Sequence, residues 1–476
     1  MSATIIILGA TGDLTARYLL PAIGQLVERD LLDHDLRLVG VANDDHDDAS
    51  FRTHVEHSLT DHAPRVAPDA RSAVVARSSY HRGDVTDPAT LGAALAEHGA
   101  SDDPVVLYLA LPHVLFRRVI EALRDVDLPA TLRVVVEKPF GQDLAGAKEL
   151  NAALDAVLRE DQVFRVDHFL AKQTVLNLIG LRFANRIFEP LWSRDQVESI
   201  DIVFDETVDA QARARYFDRS GALRDMVQNH LLQMLTLIAM EPPRSLDPQD
   251  LSERKVEVLR AVRTLTRDDV DRHTVRARYT AGSVTKAGET REVDSYVDAP
   301  GVDAAREIET YTEVTLHLDT PRWAGVPFRL RTGKALALDR REVVVHFRPL
   351  EDSVFPDAGA NELRLELDPD QMWLSLNING MGDPFDLETV EMGLELPRQA
   401  PTPYGQLILA ILDGDTRLSA RAQEAEEAWR IVEPILAAWA DGASPLRDYP
   451  AGSEGPATSV APPAAVSRAT PAAEQQ

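Results

Sequence analysis

The stretch Phe164-Arg-Val-Asp-His-Phe-Leu-Ala-Lys172 carries an acid, an imidazole and an ammonium close together. His168 and Lys172 are four apart, so on a helix they would share one face. Two cationic donors on one face suit a small dianion such as a phosphate ester. Asp167 would then point elsewhere and be free to orient a different group. A second stretch, Gly221-Ala-Leu-Arg-Asp-Met-Val-Gln-Asn-His230, leads into Leu231-Leu-Gln-Met-Leu-Thr-Leu-Ile238. That run is apolar almost all round, which predicts a buried helix. A histidine at the head of a buried helix needs a partner, and Asp167 is the candidate. A neutral imidazole titrates near working pH and suits the removal of a hydroxyl proton.

These residues have to be held by elements on either side. Residues 4–8, Thr-Ile-Ile-Ile-Leu, end in Gly9-Ala-Thr-Gly12-Asp-Leu14. The pattern predicts a buried strand turning tightly into a helix that starts near Leu14. Glycines at such a turn let backbone N–H groups approach a pyrophosphate. Residues 36–42 read as a second strand, closed by Asn43-Asp-Asp45, where an acidic side chain can bond the adenosine ribose hydroxyls. Residues 105–112 and 132–141 read as two more buried strands ending in proline or glycine. Tyr108 in the first of these also fits a core aromatic with a satisfied hydroxyl. Lys138 ends an apolar strand, where a lysine is rarely idle. With helices between the strands, as at 89–96, the pattern gives a doubly wound α/β domain up to residue 165.

The pattern then changes. From residue 200 alternating segments follow one another, at 200–204, 274–279, 309–318, 327–331, 343–347, 362–367 and 372–378. Alternation argues for strands with one covered face, hence a largely antiparallel sheet. Helices at 406–412 and 424–439 complete an α+β domain. A large one-sided sheet can be covered by helices on one face and a second subunit on the other, so a homo-oligomer is expected. The composition of residues 449–476 reads as a disordered tail.

The bulk numbers set limits. A chain of 476 residues, 44% hydrophobic, exceeds one ordinary core and predicts two domains. The net charge of −27 repels nucleic acid and anionic membranes, so neither is an expected partner. It also repels a phosphorylated substrate at long range, so a phosphate site must be a local basic pocket. With no cysteine there is no disulfide, thiolate zinc site or cysteine nucleophile, and no metal site is expected. No signal peptide or membrane-length apolar run is seen, which predicts a cytoplasmic location.

Asp167-His-Phe-Leu-Ala-Lys172 resembles the Asp-His-Tyr-Leu-Gly-Lys motif of the glucose-6-phosphate dehydrogenases. Leu181-Arg-Phe-Ala-Asn-Arg-Ile-Phe-Glu-Pro-Leu-Trp192, Arg224-Asp-Met-Val-Gln-Asn-His230 and Arg331-Thr-Gly-Lys334 are similar to that family too, as are the Gly-x-x-Gly-Asp-Leu, Tyr-Leu-Ala-Leu-Pro and Glu-Lys-Pro-Phe-Gly segments. The similarity runs from about residue 5 to about residue 445. It implies a Rossmann-like α/β dinucleotide-binding domain (1–165) and an α+β domain with a large, mostly antiparallel sheet for substrate binding and oligomerisation (166–448). The implied reaction oxidises glucose 6-phosphate at C1 to 6-phosphogluconolactone with hydride transfer to NAD(P), the entry to the oxidative pentose phosphate pathway. The implied base is His230, with Asp167 fixing its tautomer. His168 and Lys172 would hold the 6-phosphate, and Glu206, Asp225, Lys334 and Arg340 the sugar hydroxyls. Gly9, Thr11, Gly12, Asp13, Leu14, Asn43, Asp44 and Tyr108 would line the coenzyme, and Lys138 both coenzyme and sugar. A homodimer or homotetramer is expected. Asp225 and His230 are five apart, about 140° round a regular helix, so they face one sugar only if Asp225 sits at or before the helix start.

The chain departs from the family pattern at Phe169, which stands where a tyrosine would bond the phosphate. It departs also at Ala171, at Ala16 and Tyr18 of the first helix, and at His113. The remaining readings are a catalytically silent member with a regulatory or scaffolding role, and a dehydrogenase for another C6-substituted hexose. The coenzyme is NAD or NADP. An NADP enzyme usually places an arginine just after the second strand. Here Asn43-Asp-Asp-His-Asp-Asp48 follows, with no lysine or arginine before Arg52, so NAD is favoured.

Overall fold

The computed structural model describes residues 3–33, 36–97, 102–355, 358–380, 382, 383, 385–396 and 399–457. Strands β1 (Thr4–Leu8), β2 (Arg37–Ala42), β3 (Ser78–Arg82), β4 (Val105–Leu109), β5 (Leu132–Glu137) and β6 (Val163–Val166) form a parallel sheet in the order 6-5-4-1-2-3. Every residue of β1 and β4 is buried, as expected of strands covered on both faces. The order reverses between β1 and β4, so their carboxyl ends open a crevice for a ligand.

The second sheet has nine strands. In spatial order they are Leu387–Glu395, Asp370–Asn379, Glu362–Leu367, Arg340–Phe347, β7 (Val197–Asp205), Phe328–Gly333, Tyr311–Leu316, Thr274–Thr280 and Arg447–Pro450. Phe328–Gly333 runs parallel to β7, and Arg447–Pro450 parallel to Thr274–Thr280; the other neighbours are antiparallel. One face presents Ile200, Ile202, Phe204, Val343, Val345, Leu363 and Leu365 to the helical layer. The other presents Asp201, Asp205, Arg329, Arg331, His346 and Glu362, linked by ion pairs. Alternation therefore separates an apolar face from an ionic one, both on the same strands.

Two boundaries differ from the sequence reading. Helix Pro403–Asp413 packs Leu407, Ile408, Ile411 and Leu412 onto the core formed by Ile5, Ile7 and Ile23, and the strand Ser419–Ala420 joins β6 at the edge of the first sheet. Both pack with the first sheet, whose apolar face needs covering from that side. The tail does not begin at 449 either. Tyr449 is buried, pairs with Tyr279 in the sheet, and donates its hydroxyl to Lys334 O at 2.6 Å. An aromatic residue in an otherwise small and polar stretch supplies the buried area that keeps the strand in place. The rest of the expected tail, from 458, lies outside the described residues.

Candidate active site

The helix that carries His230 is fixed at both ends. Gly221 breaks the preceding helix at φ 67°, ψ 174°. A Cβ there would sit 2.5 Å from the Glu309 carboxylate, so the position takes only glycine. That carboxylate accepts from Leu223 N at 2.9 Å and caps the new helix. At the far end Arg182 donates to Leu237 O and Met240 O, and the indoles of Trp192 and Trp323 donate to Ile238 O and Ala239 O. The carbonyls left over at the helix end are thus satisfied inside the core.

Residues Leu223–Leu231 form a π-helix, and Leu232 N reaches back to Val227 O. In this wider turn residues five apart come round to one side. Asp225 and His230 therefore face the same cleft from inside the helix. The condition derived from a regular helix, that Asp225 precede the helix start, is not needed.

His230 Nδ1–H donates to Asp167 Oδ1 at 2.6 Å, with each side chain only 1% exposed. Asp167 Oδ1 also accepts from Phe169 N at 2.9 Å. Burial alone would raise the Asp167 carboxyl, but His230, His168 and the Phe169 N–H together hold it well below the usual carboxylate range. Burial dominates at His230 and lowers it against the pull of Asp167, so the imidazole is neutral at pH 7. Its Nε2 is then the nitrogen able to accept a proton. The Phe169 ring stacks on His230 at 3.9 Å between centroids and walls the pair off from water.

Residues 167–172 are not helical. Leu170 N bonds Asp167 O and Lys172 N bonds Phe169 O in two tight turns, and the helix Gln173–Ala184 begins only after Lys172. The shared helix face expected for His168 and Lys172 does not exist; the turns bring them near one another instead. Nor is His168 a cation here. Burial first, then His230, Lys138 and Lys172, push it down to about 3. It faces a ligand as a neutral ring, and its Nδ1 is buried without a protein partner. Lys172 is lowered by burial and by the neighbouring Arg341.

Beside His230, Lys138 Nζ donates to Asp225 O at 2.8 Å and lies 3.3 Å from Asp225 Oδ1. Burial would raise Asp225, but Lys138, Lys334 and His230 outweigh it and hold the carboxyl at about 2. Lys334 donates to Glu206 at 2.5 Å. Arg340 is not brought to this group. It pairs with Asp205 at 3.4 Å on the ionic face of the sheet. Arg341, one residue on, stands over Phe204 at 5.0 Å and reaches Glu206 at 3.6 Å, on the side of Lys172.

At the carboxyl end of β1 Gly9 has φ 84°, and a Cβ would lie 2.3 Å from Ala110 O, so a side chain there would close the turn between β1 and the helix. No side chain caps the helix start at Leu14, which leaves its N–H groups for an anion. Gly12 and Asp13 lie in this turn. Thr11 Oγ1 donates to Asp44 Oδ2 at 2.5 Å, tying the glycine turn to the loop after β2, next to the exposed Asn43. A loop so tied fits a pyrophosphate on the turn and a ribose on the carboxylate. Arg52 donates to Ser78 O at 2.8 Å, and Arg82 donates to Asp45 Oδ1 at 2.5 Å. Tyr108 has the core role: it is buried, and its hydroxyl donates to Glu137 at 2.5 Å.

Four participants escaped the sequence reading. Glu137, pushed up to about 7 by burial against Tyr108 and Lys138, underlies the site. Tyr404 shares Glu137 and stacks on His168 at 5.5 Å. Gln399 bonds Ala171 O at 2.6 Å and Gln173 N at 3.0 Å, one on each side of Lys172. Arg341 is the fourth. For Glu137 the signal was present, a carboxylate closing an apolar strand beside Lys138. Tyr404 and Gln399 lie more than 220 residues away and gave none.

The chain matches the model for the glucose-6-phosphate dehydrogenase NAD binding domain over residues 6–177, and that for the C-terminal domain over 179–466. It is 37% identical over 475 residues to a glucose-6-phosphate 1-dehydrogenase of Zymomonas mobilis, covering 96% of this chain and 97% of that protein. With the enzyme of Mycolicibacterium smegmatis it shares 39% identity, over 95% of this chain and 94% of the other. Among solved structures, a glucose-6-phosphate dehydrogenase in complex with its substrate glucose-6-phosphate superposes with a TM-score of 0.87 at 30% identity and 96% coverage of each chain. The glucose-6-phosphate 1-dehydrogenase of Mycobacterium avium gives 0.84 at 37% identity, covering 96% and 95%. Likeness on this scale runs through both sheets and through the helix of His230. The chain belongs to the glucose-6-phosphate dehydrogenase family.

Proposed function

We propose that this protein oxidises glucose 6-phosphate at C1 to 6-phosphogluconolactone with NAD or NADP, with His230 as the base. The observation that carries the reading is the buried contact between His230 Nδ1 and Asp167 at 2.6 Å, which leaves Nε2 of a neutral ring to take the C1 hydroxyl proton. Asp167 keeps the tautomer and stabilises the imidazolium that forms. His168 and Lys172 hold the 6-phosphate, with Lys172 the positive charge. Lys138, Glu206, Asp225 and Lys334 orient the sugar hydroxyls. A nicotinamide dinucleotide would supply the hydride acceptor; Gly9, Thr11, Gly12, Asp13 and Leu14 would hold its pyrophosphate, and Asn43 and Asp44 its adenosine ribose.

NAD is the preferred coenzyme. Support comes from Asp44, exposed and held toward the turn by Thr11, and from Arg52, engaged with Ser78 O instead of the ribose loop. Self-association into a homodimer or homotetramer draws support from the edge strand Leu387–Glu395, where Met392 and Leu394 are 60% and 51% exposed. The expected location is cytoplasmic. A silent family member would have no need of an intact acid–base pair beside Lys172, and this reading is not favoured.

The test is the appearance of reduced nicotinamide absorbance with glucose 6-phosphate, glucose and other hexose phosphates, each with both coenzymes. Turnover confined to another sugar would sink the substrate assignment. A kcat/KM tenfold or more in favour of NADP, about 1.4 kcal/mol, would sink the coenzyme preference.

A further inference from the structure

The loop after β2 contains no lysine or arginine, yet an arginine reaches it from the next strand. Arg82 ends β3, directly opposite Ala42, the last residue of β2, and Gly83 N bonds Ala42 O at 3.0 Å. Its guanidinium donates to Asp45 in the ribose loop. The loop itself is fixed on three sides. Thr11 bonds the Asp44 carboxylate, Tyr80 hydroxyl donates to Asp44 O at 2.9 Å and to Ala42 O at 3.1 Å, and Asp47 caps the following helix through Ser50 N at 2.8 Å. Arg52 is turned to the far side, where it bonds Ser78 O and lies 3.9 Å from Asp48.

From this we infer that Arg82 is the residue that determines whether the 2′-phosphate of NADP is tolerated. The inference rests on the coenzyme reading given above, in which the adenosine ribose meets Asn43 and Asp44. A phosphate on the 2′-oxygen brings about two negative charges to a loop that already has Asp44 and Asp45. Arg82 can exchange Asp45 for that phosphate. Its contact with Asp45 is at the surface, with side chains 58% and 87% exposed, so breaking it costs little. The guanidinium fork then gains a charge-assisted, bidentate contact with a phosphate. With NAD bound, Arg82 stays on Asp45 and Asp44 meets free hydroxyls. One pocket thus serves both coenzymes, and the position of one side chain selects between them.

The test uses the full chain and two fragments that differ only in the group at issue, 2′,5′-ADP and 5′-ADP, with binding read by calorimetry. Arg82→Ala is expected to weaken 2′,5′-ADP by about tenfold or more and 5′-ADP by less than about twofold. The second value also serves as the check on folding. Asp45→Asn, which removes the competing carboxylate, is expected to tighten 2′,5′-ADP and leave 5′-ADP unchanged. Losses in Arg82→Ala that differ by less than about threefold between the fragments would overturn the inference. So would a wild-type chain that fails to bind 2′,5′-ADP, or unaltered affinities in Asp45→Asn. The underlying coenzyme preference is read separately. Wild-type kinetics strongly favouring NADP would remove that preference and leave Arg82 standing. A fragment loss blind to the 2′-phosphate would remove Arg82 and leave the preference standing.

Discussion

Asp167 with His230 and Asp45 with Arg82 are both contacts of a nitrogen donor with a carboxylate, at nearly the same length, 2.6 and 2.5 Å, the first to a neutral ring and the second to a cation. They differ in their surroundings. The first pair lies under Phe169 with both side chains 1% exposed; the second stands in solvent. In the interior no water competes for the carboxylate or the imidazole, so the contact fixes a tautomer and a direction. At the surface water competes for both groups, so the contact is a resting place from which either can leave. A proton acceptor needs the first condition. A contact that must accommodate two ligands needs the second.

The comparison breaks most visibly at the buried pair. His230→Asn should lower kcat with glucose 6-phosphate by about 10²–10⁴-fold, with substrate binding retained in equilibrium dialysis. A kcat near that of the wild type would place the base elsewhere. Asp167→Asn should lower kcat by less and also move the pH profile. As the proposed base His230 would work when neutral, so activity should be lost as pH falls through its pKa. Burial puts that pKa below the usual 6.5, and the acidic limb of kcat/KM should lie below it. Asp167 is what raises His230 against burial, so removing its charge should carry the limb lower still. An unmoved limb would mean that the two groups do not titrate as a pair.

Lys172 lies between the extremes, partly buried and open to a ligand. Lys172→Ala should raise KM for glucose 6-phosphate roughly tenfold to a hundredfold with kcat little changed. Turnover of free glucose should not fall with it. Parallel losses on both sugars would show that Lys172 supports the fold of the site and not the phosphate. The smallest effect is expected at the surface pair. Asp45→Asn should shift the melting temperature by less than about 2 °C, and a larger drop in a calorimetric scan would show that the pair is structural after all.

The sequence revealed types and neighbours well and directions poorly. The turn at Gly9 and the buried strands β1, β4 and β5 follow from local patterns, whereas Asp167 is in the sequence only a candidate partner for a buried His230, 63 residues away. The relation of Asp225 to His230 does not follow from such patterns, because the helical turn between them is wider than the regular one. Arg340 and Arg341 could not be separated for a different reason. On a strand a shift of one residue exchanges the two faces, and only the register with β7 shows which arginine meets Phe204. Tyr404 and Gln399 reach the site through chain folding over long separations, and nothing near them in sequence announces it.

The return of Pro403–Ala420 to the first sheet has a consequence for how the protein is made. Ile5, Ile7 and Ile23 emerge from the ribosome some 380 residues (23 to 403) before the helix that covers them. At ordinary rates of elongation the gap is on the order of 20–80 s. Over that interval the nascent chain has an apolar surface and an open edge at β6 with no partner of its own. Stalled or truncated products should therefore be aggregation-prone, and a holding chaperone would act on the first sheet until Pro403–Ala420 is made.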